Sequence, residues 1–184
     1  MQPILTFFLT CLSLMMLFTH TAVAEQQCIG VISAGSGEKF WNTLAEGAIE
    51  AGEKYGYQVI PRGPKLEANY IAQAEIIKYF EARGCVGLVL APNTPTLHND
   101  VIRLQKKGIT VVFADRPLKS LPEIALFTTD NFTAGKLAAE KLIAQLSPEQ
   151  NNIAVFRLEA SVETTTQRED GFIRTILEHG KTLY

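Results

Sequence analysis

The chain predicts a doubly wound α/β fold on a parallel sheet, and three observations carry that expectation. Short β-branched runs alternate with longer amphipathic ones, the order that places a helical crossover between successive parallel strands. The short runs are continuously apolar, as strands covered on both faces are. Three of the amphipathic stretches end at Gly56, Gly84 and Gly108, and glycine accepts the left-handed conformation that closes a helix.

Each element follows from its pattern. The first strand is expected at 28–33, and a helix follows whose stripe is Trp41, Leu44, Ala48, Ala51 and Tyr55, spaced as one helical face. Strands are expected at 57–60, 85–90 and 109–114, with helices at 67–83 and 97–107 between them. A fifth strand is read at 124–128. A fourth helix, capped by Asn131 or Thr133, buries Leu137, Ala138, Leu142 and Leu146 and is closed by Ser147-Pro148. A sixth strand at 153–156 precedes a fifth helix from about Thr164 to Leu177.

Residues 1–24 have the pattern of an export signal. The apolar run from Ile4 to Phe18 is short for a membrane span, which takes roughly 20 residues. It leads into Ala22-Val23-Ala24, a small-x-small cleavage site, with Glu25 as the expected mature N-terminus. The remainder divides into an α/β lobe over 25–130 and part of a second over 131–184. A net charge of −2 gives no basic face for nucleic acid, so the expected partner is a small molecule or a protein. Cys28 and Cys85 open two apolar runs at the same offset. On neighbouring parallel strands in an oxidising compartment they form a disulfide; otherwise they are two small buried hydrophobes.

Doubly wound sheets bind ligands beyond the carboxyl ends of their strands, so chemistry is sought there. After the first strand, Gly35 and Gly37 begin a dinucleotide fingerprint, but Phe40 stands where its third glycine belongs. No Gly-x-Ser-x-Gly elbow surrounds Ser33. An exported nucleotide- or NAD-dependent enzyme is therefore the alternative reading and not the leading one. Phe40 and Trp41 stand at the mouth of the first helix, one to pack under the sheet and one to stack on a ligand. Asn93 follows the third strand. Asp115-Arg116 follows the fourth, a carboxylate acceptor beside a forked donor, which suits vicinal hydroxyls. Arg168 falls in the first turn of the fifth helix, after Glu159 and Ser161. The three histidines are scattered, no cofactor or metal is expected, and no catalytic constellation is present.

In order, Phe40-Trp41, Gly47, Gly56-Tyr57, Leu90-Ala91-Pro92, Gly108-Ile109, Asp115-Arg116, Thr129-Asp130-Asn131, Ala134-Gly135 and Arg168-Glu169-Asp170-Gly171-Phe172 resemble the ribose-binding type I periplasmic sugar receptors. The resemblance implies two α/β lobes that close on a sugar, read by an ATP-driven permease, a sensor kinase or a chemoreceptor. It places Phe40 and Trp41 on the ring, Asp115 and Arg116 on its hydroxyls, and Arg168 across from the second lobe. Ala91 stands where the family carries asparagine, with Asn93 as the substitute. The chain stops at Tyr184 with about half of a second lobe, so weaker sugar binding than in a full-length relative is expected.

Overall fold

A computed structural model describes residues 26–157 and 162–184. The export segment read at 1–24, together with Glu159 and Ser161, lies outside the described residues. Among the described residues five parallel strands form one sheet in the order β2-β1-β3-β4-β5. These are β1 (Cys28–Ile32), β2 (Gln58–Arg62), β3 (Gly87–Leu90), β4 (Thr110–Ala114) and β5 (Leu126–Phe127). Three crossover helices link the first four: α1 (Lys39–Tyr55), α2 (Tyr70–Arg83) and α3 (His98–Lys106). Ile32 pairs with Leu90, and Leu90 with Phe113, so the strand ends line up at one edge.

Alternate residues of a strand face opposite sides. On one side Ile32, Leu88, Leu90, Val111 and Phe113 pack with Ile77 and Phe80 of α2, with Val101 and Leu104 of α3, and with Leu97 just before α3. Gly30 permits that approach, since a Cβ there would stand 2.7 Å from the Phe80 ring. On the other side Trp41 packs with Ala34 and Ala91. Cys28 and Cys85 are disulfide-bonded, with Cα atoms 4.6 Å apart. The bond joins β1 to the residues just before β3, at the end of the sheet opposite the strands' carboxyl ends.

Several expectations about elements need correction. In α1 the buried stripe turns to Gly52, while Ala51 and Tyr55 are exposed. A Cβ at Gly52 would stand 2.4 Å from Val59, so glycine takes the contact position. Strand β2 runs through Pro61 to Arg62, which its place at the sheet edge tolerates. The second helix starts at Tyr70 and not at 67, because Asn69 caps it by accepting the Ala72 N–H at 3.0 Å. A 3₁₀ turn, Pro95–Leu97, precedes α3.

Beyond β5 the chain enters α4 (Asn131–Ile143), then β6 (Asn152–Ile153), α5 (Glu163–Glu178) and β7 (Thr182–Leu183), where β6 and β7 pair in parallel. The cap of α4 is Asp130, which accepts the Thr133 N–H at 3.0 Å; neither Asn131 nor Thr133 serves. Its buried positions are Asn131, Gly135 and Ala139, whereas Leu137 and Ala138 are exposed. The cause is backbone contact between two helices. A Cβ at Gly135 would stand 1.9 Å from Arg168 O, and one at Gly171 2.1 Å from Phe132 O. Only glycine allows that spacing, and it rotates the helix away from the face its leucines imply. Leu142 and Leu146 are half-buried against Ala139, Ile153 and Ile176.

Candidate functional site

The carboxyl ends of β1 and β3 are tied from beneath by one buried side chain. Gln73 of α2 donates from Nε2 to Ser33 O at 3.0 Å and to Ala91 O at 2.9 Å. Its Oε1 accepts the Asn93 N–H at 2.9 Å. Both N–H donors and the carbonyl oxygen of the amide are thus paired, as a fully buried amide requires. This sets the loops after two strands at fixed heights above the sheet.

Asp115, directly after β4, has φ +64°, an uncommon left-handed value for a residue with a side chain. The Arg116 N–H donates to Ala114 O at 2.7 Å, closing a tight turn about Asp115 of the classic γ type. Asp115 N–H donates to Phe127 O, and Thr128 Oγ1 donates to Asp115 O, so β5 and the segment after it hold the turn in place. The turn aims the two side chains together. Arg116 Nε donates to Asp115 Oδ2 at 3.2 Å, and both groups are largely buried. Burial pushes the Asp115 carboxyl above the usual carboxylate range, an effect that the charges of Arg116 and Arg168 offset in part.

Arg116 is held a second time. Its Nη2 donates to Glu67 Oε2 at 2.7 Å, and the other oxygen of Glu67 accepts the Trp41 Nε1–H at 3.2 Å. The guanidinium carbon lies 5.8 Å from the Trp41 ring centroid, within cation–π range. Trp41 is 4% exposed, while Phe40 is 53% exposed and meets it edge-on at 4.7 Å between centroids.

Phe40, Trp41, Asp115, Arg116 and Arg168 line one cavity of about 430 Å³, together with Glu38, Glu67 and Thr164. Five of the six residues singled out in the sequence thus meet. Asn93 lies apart, in a neighbouring cavity of about 350 Å³ that shares Arg116. Its Nδ2 donates to Glu67 O at 2.8 Å, and its Oδ1 is buried without a partner among the described residues. Glu67 and Gln73 were missed. Both fall inside the expected second helix, and the signal that frees Glu67 is the capping asparagine two residues later. Across the cavity, Lys119 Nζ and Glu163 Oε2 pair at 2.6 Å, joining the loop after β4 to the start of α5.

Such a cavity offers carboxylate acceptors, guanidinium donors and two aromatic rings, with no activated nucleophile among its described residues. These groups lie past the carboxyl ends of a parallel sheet, with Thr164 and Arg168 of α5 on the same cavity. The family model for the periplasmic binding protein domain matches residues 29–183, and the chain belongs to that family. It is 25% identical over 175 residues to the ribose import binding protein RbsB of Haemophilus influenzae, covering 93% of this chain and 58% of that protein. The periplasmic component of an ABC-type sugar transport system from Hahella chejuensis shares 30% identity with a TM-score of 0.75. That match covers 86% of this chain and 58% of the other. An ABC transporter solute-binding protein from Agrobacterium vitis, solved with D-fucose bound, shares 27% identity with a TM-score of 0.73. The match covers 85% of this chain and 55% of that one. The chain spans somewhat over half the length of each of these relatives.

Proposed function

We propose that the chain is a non-catalytic receptor for a sugar or sugar-like solute, exported to the periplasm, with residues 25–130 as its first lobe and 131–184 as part of its second. The observation that carries this reading is the Asp115–Arg116 pair, 3.2 Å apart beside Phe40 and Trp41 in the cavity that Arg168 also lines. A sugar hydroxyl both gives and takes a hydrogen bond, so an acceptor and a donor fixed side by side match two neighbouring hydroxyls. An aromatic face suits the apolar C–H face of the ring. The receptor delivers its ligand to an ATP-driven permease or presents it to a sensor kinase or chemoreceptor; import relatives support the first role.

An exported NAD-dependent enzyme fits less well. Glu67 packs over Gly35, where a Cβ would stand 2.9 Å from its Cγ, so the glycine turn faces a carboxylate and not an open phosphate seat. Isothermal titration of the purified protein with D-ribose, D-fucose and NAD tests the proposal. Heat of binding with a sugar, recovered unchanged afterwards, supports it; binding of NAD alone overturns it.

A further inference from the structure

Glu67 was not among the residues singled out in the sequence, yet three of those residues converge on it. Oε2 takes Arg116, Oε1 takes Trp41, and its backbone carbonyl takes Asn93 at 2.8 Å. Through Arg116 the link extends to Asp115 at 3.2 Å. Gly35 closes the remaining side, with room for a hydrogen where a Cβ would stand 2.9 Å from Glu67 Cγ. The carboxylate is therefore fixed by two donors and by the floor beneath it.

We propose that Glu67 is a positioning residue of the ligand cleft, which sets the plane of the Arg116 fork and of the Trp41 ring and so selects among hydroxyl patterns. The inference rests on the reading of the cleft as a sugar site. A guanidinium is planar and presents five donors in a rigid fork. Held by Asp115 alone at Nε, it pivots about that contact; held also at Nη2, its plane and its outward donors are set. Trp41 has its own two side-chain torsions, and a hydrogen bond at Nε1 removes the freedom of the ring to turn over. Because one carboxylate holds both, the Trp41 ring that backs the exposed Phe40 ring and the hydroxyl donors keep a constant mutual geometry. That geometry is what separates one epimer from another.

A merely structural bridge and a positioning one differ in their response to Gln. A glutamine carbonyl still accepts from Trp41, but its amide cannot accept from Arg116. Trp41 is the single tryptophan of the chain, so its emission and acrylamide quenching report its surroundings without a label.

The test compares the full-length protein with Glu67→Gln and Glu67→Ala, with and without a panel of epimeric aldopentoses and aldohexoses. Without sugar, Glu67→Ala shifts Trp41 emission to the red and raises quenching, while Glu67→Gln stays close to wild type. With the panel sugar that gives the largest wild-type response, the dissociation constant rises tenfold or more in both variants, and the order of preference among epimers changes. Far-ultraviolet circular dichroism checks that both remain folded. If Glu67→Ala does not fold, Glu67→Gln decides alone: affinity lost at unchanged emission supports the proposal. Affinities within twofold of wild type, in the same order, overturn it. If wild type responds to no sugar, the receptor reading fails instead. The placing of Trp41 is then judged on the sugar-free emission of Glu67→Ala, and an unchanged spectrum overturns it.

Discussion

The side-chain carbonyl of Gln73 accepts the backbone N–H of Asn93 at 2.9 Å, while the same amide donates to the strand ends at Ser33 and Ala91. Removing it takes the partner from two buried carbonyls and from the part-buried N–H of Asn93. Each buried unpaired group costs about 1–3 kcal/mol, and the three share one neighbourhood, so their costs do not add in full. Gln73→Leu keeps the apolar volume and loses every bond. It is expected to lower unfolding free energy by about 3 kcal/mol in urea titration, and a loss below about 0.5 kcal/mol contradicts this role.

The proposed role of Asp115 as a hydroxyl acceptor comes at a cost in stability. Its φ of +64° is strained by about 1–2 kcal/mol for a non-glycine residue, and burial disfavours its charge. Its folded pKa lies above its ordinary value near 3.8, so the penalty for burying the carboxylate is present at neutral pH and fades as pH falls through the raised value. Asp115→Asn tolerates the backbone and removes the charge. It is expected to melt at the same temperature as wild type or higher at pH 7 and to bind sugar weakly at every pH. In wild type, affinity falls on acidification at a higher pH than an ordinary carboxylate would give. A flat wild-type profile through the carboxylate range, or a marked loss of melting temperature in Asp115→Asn, contradicts this account.

Much of the sheet and the heart of the cleft were legible because their signals are local. Continuous apolar runs marked β1, β3 and β4, and the rule that ligands sit past strand ends singled out Asp115 and Arg116 without any knowledge of their contacts. Glu67 and Gln73 were hidden for the converse reason. A helical pattern shows which residues repeat, not which polar one is swallowed by the core, and Gln73 reads like any surface glutamine. The face of α4 was misread because Gly135 and Gly171 carry no hydrophobic signal, though they set the helix contact. Strand β7 has two residues, too few for a period to register.

Gly135→Ala sets two effects against each other. Alanine favours a helix interior by about 1 kcal/mol over glycine. Against that, the new Cβ lies 1.9 Å from Arg168 O, a backbone atom that moves only if α4 and α5 separate. Overpacking of this kind costs about 1–3 kcal/mol, more where backbone is struck, so the variant is expected to be less stable. Earlier proteolytic cleavage within 131–184 and a lower melting temperature check it; a higher melting temperature contradicts it.

The Cys28–Cys85 bond closes a loop of sequence separation 57, which stabilises the folded chain by about 4 kcal/mol in the chain-entropy model. Reduction is expected to lower the melting temperature by roughly 10 °C for a chain of this size. Under denaturing, non-reducing conditions neither cysteine labels with a thiol reagent. Labelling of both rules the bond out.

The most direct measurement is the emission of the single Trp41 during titration with neutral pentoses and hexoses, in wild type and in Asp115→Ala. At least one sugar is predicted to change wild-type emission saturably. The same sugar should leave the variant, with its circular dichroism retained, unchanged over that range. No saturable change with any sugar, or equal binding by the variant, would contradict the assignment of this cleft as a sugar site.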